Sequence, residues 1–183
     1  ELVERGEMRP DDDHHKHAAI RSHHARQPAA HRQCGELFCS VRCMTGTMYI
    51  TGNAAADQLL NSDGTAVLIG MLLDQQVPME WAFTGPATLH ARLGHLDASK
   101  IAAMDREQFV AVCCAKPAIH RFPASMGRRV HDVCSALVER FDGRGEGVWA
   151  GVDSGDELYD RLRTLPGYGE EKARIFVAIL GKR

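Results

Sequence analysis

The run Ala66-Val67-Leu68-Ile69-Gly70-Met71-Leu72-Leu73 is the longest apolar stretch in the chain and presents no polar side chain in any direction. Its eight residues fall far short of the roughly 18 that a membrane-spanning helix needs. It must therefore be covered by the rest of the protein. A helix over 65–76 that is apolar on every face belongs at the centre of a helical domain, with other helices packed around it.

The flanking sequence supplies those helices and almost no strand pattern, so the expected fold class is all-α. Asn53 is suited to cap a helix over 54–60, which ends at the turn Asn61-Ser62-Asp63-Gly64. Asp97 and Asp105 are plausible caps for two short helices, the second with Phe109, Val112 and Cys113 on one side. Pro123 opens a longer helix. In it Val130, Val133, Cys134, Leu137, Val138 and Phe141 recur at i, i+3, i+4, i+7, i+8 and i+11, a full amphipathic stripe that the following glycines end. Asp153 or Ser154 caps a helix with Leu158, Leu162 and Leu165 on one face, and Pro166 forbids its continuation. Beyond a five-residue hairpin, Ala173, Phe176, Val177 and Leu180 give the last helix its apolar stripe.

Residues 1–47 carry six of the ten His and three of the six Cys without a helical or strand period. They read as a disordered or non-native extension ahead of a working domain over 48–183. His31, Cys34, Cys39 and Cys43 match neither of the usual paired zinc spacings, so no metal is assigned. The opening residues have neither the basic head nor the apolar core of a secretory signal, which leads us to expect a cytoplasmic protein with free thiols. Cys113, Cys114 and Cys134 read as small hydrophobic groups between helices. With 22 Lys and Arg against 24 Asp and Glu, the net charge of −2 argues against a polycationic coat for nucleic acid. A local basic face remains open to it.

The most specific pattern is Leu165-Pro166-Gly167-Tyr168-Gly169 leading into Glu170-Glu171-Lys172. Two glycines one residue apart permit positive φ and remove side chains that would keep a ligand from the backbone. At a helix start the unpaired N–H groups and the dipole suit one phosphate. Lys172 and Arg174 stand close enough to add charge, and Arg161 and Arg163 precede the turn. A packing turn that merely stops one helix and starts the next is the other reading of the same residues.

Taken together, these residues resemble the helix-hairpin-helix element of the base-excision DNA glycosylase superfamily. A second segment strengthens the likeness: Leu72-Leu73-Asp74-Gln75-Gln76-Val77-Pro78-Met79-Glu80-Trp81-Ala82-Phe83 looks like the stretch that superfamily places at its DNA cleft. The glutamine-bearing turn comes first, several helices intervene and the hairpin follows, as in that family. The resemblance implies a helical bundle of the helix-hairpin-helix glycosylase type in which Gln76, or Gln75, enters duplex DNA beside a flipped nucleotide. Capping of the core helix by the two glutamines is the alternative. Trp81 and Phe83 could line a base pocket or simply pack. His120, Arg121, Arg128, Arg129 and His131 form a second basic cluster that reaches phosphates or lies on a solvated face.

The chain departs from the family at the chemistry. Where bifunctional members carry a catalytic lysine, two residues after the second glycine, this chain has Glu171. Lys172 is one step on, and a single helical step turns a side chain by about 100°, so it is expected to point elsewhere. A lysine-based lyase is disfavoured. The aspartate of monofunctional members falls beyond Arg183 in the family pattern, and no iron–sulfur cysteines follow the hairpin. Glu170 and Glu171 read as stabilisers of a helix N-terminus. The expectation is a monomeric, nucleoid-associated repair protein acting on duplex DNA with a damaged or mismatched base. It would be a monofunctional DNA N-glycosylase or, alternatively, a catalytically inactive module that recognises distorted duplex. The hairpin carbonyls hold a monovalent cation in the family.

Overall fold

Eight α-helices and one 3-10 turn, with no strand, make up the described residues 47–181 in a computed structural model. These residues fall within the unit Leu37–Arg183, and residues 1–36 lie outside the described residues. The expectations for the His-rich stretch and for His31, Cys34, Cys39 and Cys43 also fall outside them.

Helix α1 (Ala54–Ser62) starts where Asn53 Oδ1 accepts the amides of Ala55 and Ala56 at 3.0 and 3.1 Å. Asp63 both ends α1 and caps α2 (Gly64–Leu73), its carboxylate accepting from Ala66 N at 3.1 Å. The turn foreseen over four residues is thus a single residue. All ten residues of α2 are buried, which makes it the hub of the core. The helix stops at Leu73, three residues before the end read from sequence, with the Asp74 amide bonded to Gly70 O at 3.1 Å.

Helix α3 (Met79–Leu93) was not foreseen. Gly85 and Pro86 inside it look like breakers, yet both are buried. A Cβ at Gly85 would lie 2.4 Å from Leu73 Cδ1, and one at Gly70 would lie 2.7 Å from the Phe83 ring. The two glycines therefore let α2 and α3 approach to backbone distance, and Phe83 fills the space over Gly70.

Asp97 and Asp105 cap α4 (Ala98–Ala103) and α5 (Arg106–Cys114) as anticipated. Helix α6 (Pro123–Phe141) follows its stripe through Val130, Val133, Cys134 and Leu137, all fully buried. Val138 departs from it at 41 % exposure. The helix closes on Asp142, with φ at +52°, and Gly143. Next, the 3-10 turn Gly145–Val148 seats Gly145 against the backbone of Gly64 and Thr65 at the start of α2. Ser154 caps α7 (Gly155–Arg163) by accepting from Glu157 N at 3.1 Å. Helix α8 (Glu170–Gly181) buries Ala173 and Phe176. None of the helices among the described residues is long and apolar enough to cross a membrane.

Candidate nucleic-acid interface

The fold brings the Gln75-Gln76 turn and the Gly167-Tyr168-Gly169 hairpin together at one end of α2. Tyr168 is 3 % exposed, and its hydroxyl donates to Leu68 O at 2.6 Å. Leu165 is equally buried. Neither side chain is available to a ligand, which corrects their reading as contacts; they moor the hairpin to α2. The ring of Tyr168 meets Phe176 edge-on with centroids 6.2 Å apart, and burial holds its phenol well above the usual tyrosine range.

Gly167 adopts φ of +82°, and a Cβ there would come within 2.6 Å of Leu72 Cδ1. Glycine is required for the turn itself. Gly169 differs: nothing lies within 4 Å of the Cβ it could carry. Among the described residues no acceptor meets the amides of Gly167, Gly169 or Glu170. These N–H groups, at the start of α8, form an open donor set of the kind that accepts an anion.

Lys172 was expected to point elsewhere. Its ammonium turns onto the C-terminal end of α2, donating to Met71 O and, at 3.1 Å, to Asp74 O, so it is not free to add charge at the hairpin. A cation there complements the partial negative charge of the helix end. Burial holds the ammonium below the usual lysine range, against the opposing pull of Asp74. Its charge serves α2, not a phosphate. Arg174 is exposed and pairs with Glu170 at 2.6 Å one turn back, a contact weak enough to exchange for a phosphate. Glu171 is exposed. Arg161 is held by Ala150 O and Glu157, at 2.8 and 2.7 Å.

The two glutamines behave differently. Gln75 is tied down through every polar group: its amide Nε2 donates to Leu72 O at 2.8 Å, its Oε1 accepts from Arg129 Nη1 at 3.0 Å, and its carbonyl accepts from His120 Nε2 at 2.9 Å. Gln76 is exposed and has φ of +57°. A left-handed backbone at a residue other than glycine costs about 1–2 kcal/mol. Such strain collects at functional sites.

A second finding concerns the loop before α6. His120, read from sequence as part of a basic cluster, is 1 % exposed. Its Nδ1 accepts from Phe122 N at 3.0 Å, so the proton lies on Nε2 and is directed at Gln75 O. Trp81, 41 % exposed, stacks on the imidazole with centroids 6.3 Å and planes 25° apart. Phe122, 47 % exposed, meets it at 6.0 Å, and the Arg121 guanidinium lies 4.8 Å over the Phe122 ring. Arg92 fixes the loop's approach through Val112 O and Pro117 O at 2.7 and 2.5 Å.

Phe122 escaped the sequence reading. The signal for it is its place before Pro123, where the backbone is steered out of the helical region and a side chain projects from the helix start. The remaining members of the cluster are occupied: Arg128 pairs with Glu107 at 3.3 Å and His131 Nε2 bonds Met104 O at 3.1 Å. Phe83, 2 % exposed, belongs to the core rather than to a base pocket. Trp81 keeps an exposed face.

The surface thus combines open amides, an exposed glutamine on a strained turn, two exposed aromatic rings and arginines. Compared with protein-family models, curated proteins and solved structures, the chain finds no match.

Proposed function

We propose that this domain grips duplex DNA through the hairpin amides and inserts Gln76 beside an extruded nucleotide, as part of a base-excision repair protein of the monofunctional DNA N-glycosylase kind. The observation that carries the reading is the adjacency of two elements distant in sequence. Lys172, three residues past the hairpin, bonds the residues that lead into the glutamine turn. A phosphate held at the hairpin and a side chain entering the helix stack would then act on one stretch of duplex. Phosphate contacts fix register without reading sequence, and the inserted group meets the base stack. Trp81 and Phe122 offer faces on which unpaired bases stack.

The resemblance also assigns a monovalent cation to the hairpin carbonyls. Leu165 O accepts Tyr168 N at 3.2 Å and keeps a second lone pair for such an ion, which would add positive charge opposite a phosphate. The second reading is a module that recognises distorted duplex without cleaving it, and both readings agree with two observations that leave no lysine nucleophile. Glu171 stands at the position of the family's amine, and Lys172 is committed to carbonyls. Incubation with duplexes bearing alkylated, deaminated or oxidised bases, read by mass spectrometry for released base, separates the two. Release supports the hydrolase; tight binding without release supports the module; no binding overturns both.

A further inference from the structure

Three donors from three separate elements converge on the acceptors just ahead of Gln76. Lys172, from α8, takes Met71 O and Asp74 O; His120, from the loop before α6, takes Gln75 O; Arg129, from α6, takes Gln75 Oε1. The Gln75 side chain closes the set by folding back on Leu72 O. The next residue is Gln76, exposed and left-handed.

We propose that Lys172, His120 and Arg129 are positioning residues that aim Gln76, an inference that rests on the reading of Gln76 as the residue entering the duplex. A strained non-glycine conformation persists only where its surroundings over-determine it. Here the backbone before Gln76 is held from the α8 side by Lys172 and through Gln75 by His120. The imidazole has no freedom to turn, because it is buried, Phe122 N occupies its other nitrogen and Trp81 stacks on its face. With Asp74 and Gln75 fixed, the turn can leave the protein in one direction. The residues act through the backbone of the turn and touch no DNA themselves. A purely capping role for Lys172 would affect the stability of α2 and nothing else.

The two roles separate in an extrusion signal measured at saturation. Full-length protein is mixed with duplex oligonucleotides carrying 2-aminopurine at a mismatch, a probe that brightens when unstacked. Protein is added until all DNA is bound, so that the amplitude no longer depends on affinity, and circular dichroism establishes that each variant is folded. Wild type is expected to give a rise that Q76A loses. K172M and H120L are expected to lower the amplitude about fivefold, the ratio set by losing one net hydrogen bond. H120Q, which keeps a donor at the same reach, restores it. R129M, at an exposed position, keeps the test open if either buried variant unfolds, and it is expected to lower the amplitude in the same direction. Wild-type amplitude in the folded positioning variants, with Q76A dark, overturns the positioning role alone. No rise with wild type, or a rise that Q76A keeps, overturns the reading of Gln76 beneath it.

Discussion

Lys172 Nζ, on the first turn of the last helix, lies 3.1 Å from the backbone carbonyl of Asp74, at the end of the core helix. A lysine so placed is a structural cation. Lys172→Met is expected to destabilise the protein by about 1–3 kcal/mol, the cost of leaving part-buried carbonyls unpaired. It should leave the slope of log K against log salt for DNA binding unchanged. Arg121→Ala, at an exposed guanidinium, is expected to lower that slope by about one and to leave the melting temperature unaltered. Titrations at several salt concentrations, beside thermal melts, check both.

The hairpin glycines should separate into scaffold and surface. Gly167→Ala forces a Cβ against Leu72 Cδ1 at φ of +82°, and a loss of at least about 1 kcal/mol is expected in urea denaturation. Gly169→Ala meets open space and should fold as well as wild type. Its methyl group stands where an approaching phosphate would lie, so DNA affinity should fall while stability holds. Equal effects of the two substitutions on both measurements would count against an anion site here.

Gln76→Gly relieves a left-handed φ of +57°. Stability is expected to rise by a few tenths to about 1 kcal/mol, with discrimination between mismatched and matched duplex lost. A variant that melts higher and discriminates less is the pattern that strain retained for a purpose produces. Differential scanning calorimetry paired with competition binding measures the two together.

Burial pushes the thiols of Cys113 and Cys134 up to about 12. Unfolded, both ionise near 9. In that window the unfolded chain gives up protons that the folded chain keeps, so stability should fall as pH rises from about 9 towards 12. Cys134→Ala is expected to flatten the decline, as seen in urea midpoints at pH 8 and pH ~10.5. At neutral pH, alkylation of both residues should require unfolding, which peptide mass mapping reads directly.

Asp57 contributes to the acid limb. Its Oδ1 accepts from Ile50 N, Thr51 N and Thr51 Oγ1 at 3.1, 2.9 and 2.8 Å, and these bonds hold its carboxyl below the ordinary 3.8. The stabilisation is therefore present above pH 3.8 and is lost as pH falls through the lower folded value. Asp57→Asn should remove that part of the pH dependence. Thermal melts from pH 5 down to pH ~2.5 would register the difference as a shallower curve.

Much of the fold was legible because its devices are local. Asn53, Asp97, Asp105 and Ser154 cap the helices they were expected to cap, and Pro123 opens the helix whose stripe runs through Val130 and Leu137. Helix α3 was hidden because Gly85 is there for its neighbour. The reason for a glycine at that point is Leu73, on another helix. The site was less legible for the same physical cause. Lys172 and His120 are aimed by backbone carbonyls at Asp74 and Gln75, 98 and 45 residues away, and a carbonyl leaves no mark in a sequence. His120 among arginines therefore reads as a surface cation, although the fold buries it. Gln76 was singled out through the resemblance, and Phe122 stood in a segment whose charges drew attention first.

The core helix accepts its polar partners from residues about a hundred positions later: Tyr168 at Leu68 O, and Lys172 at Met71 O. Chains emerge from the ribosome N-terminus first, and contacts of such long separation must wait for their distant half. During synthesis α2 and its apolar neighbours would exist for several seconds, at about 5–20 residues per second, before residues 168 and 172 could reach them. The hairpin proposed to hold DNA is thus also a late clasp on the nascent core, and a ribosome stalled before residue 168 would leave α2 without it.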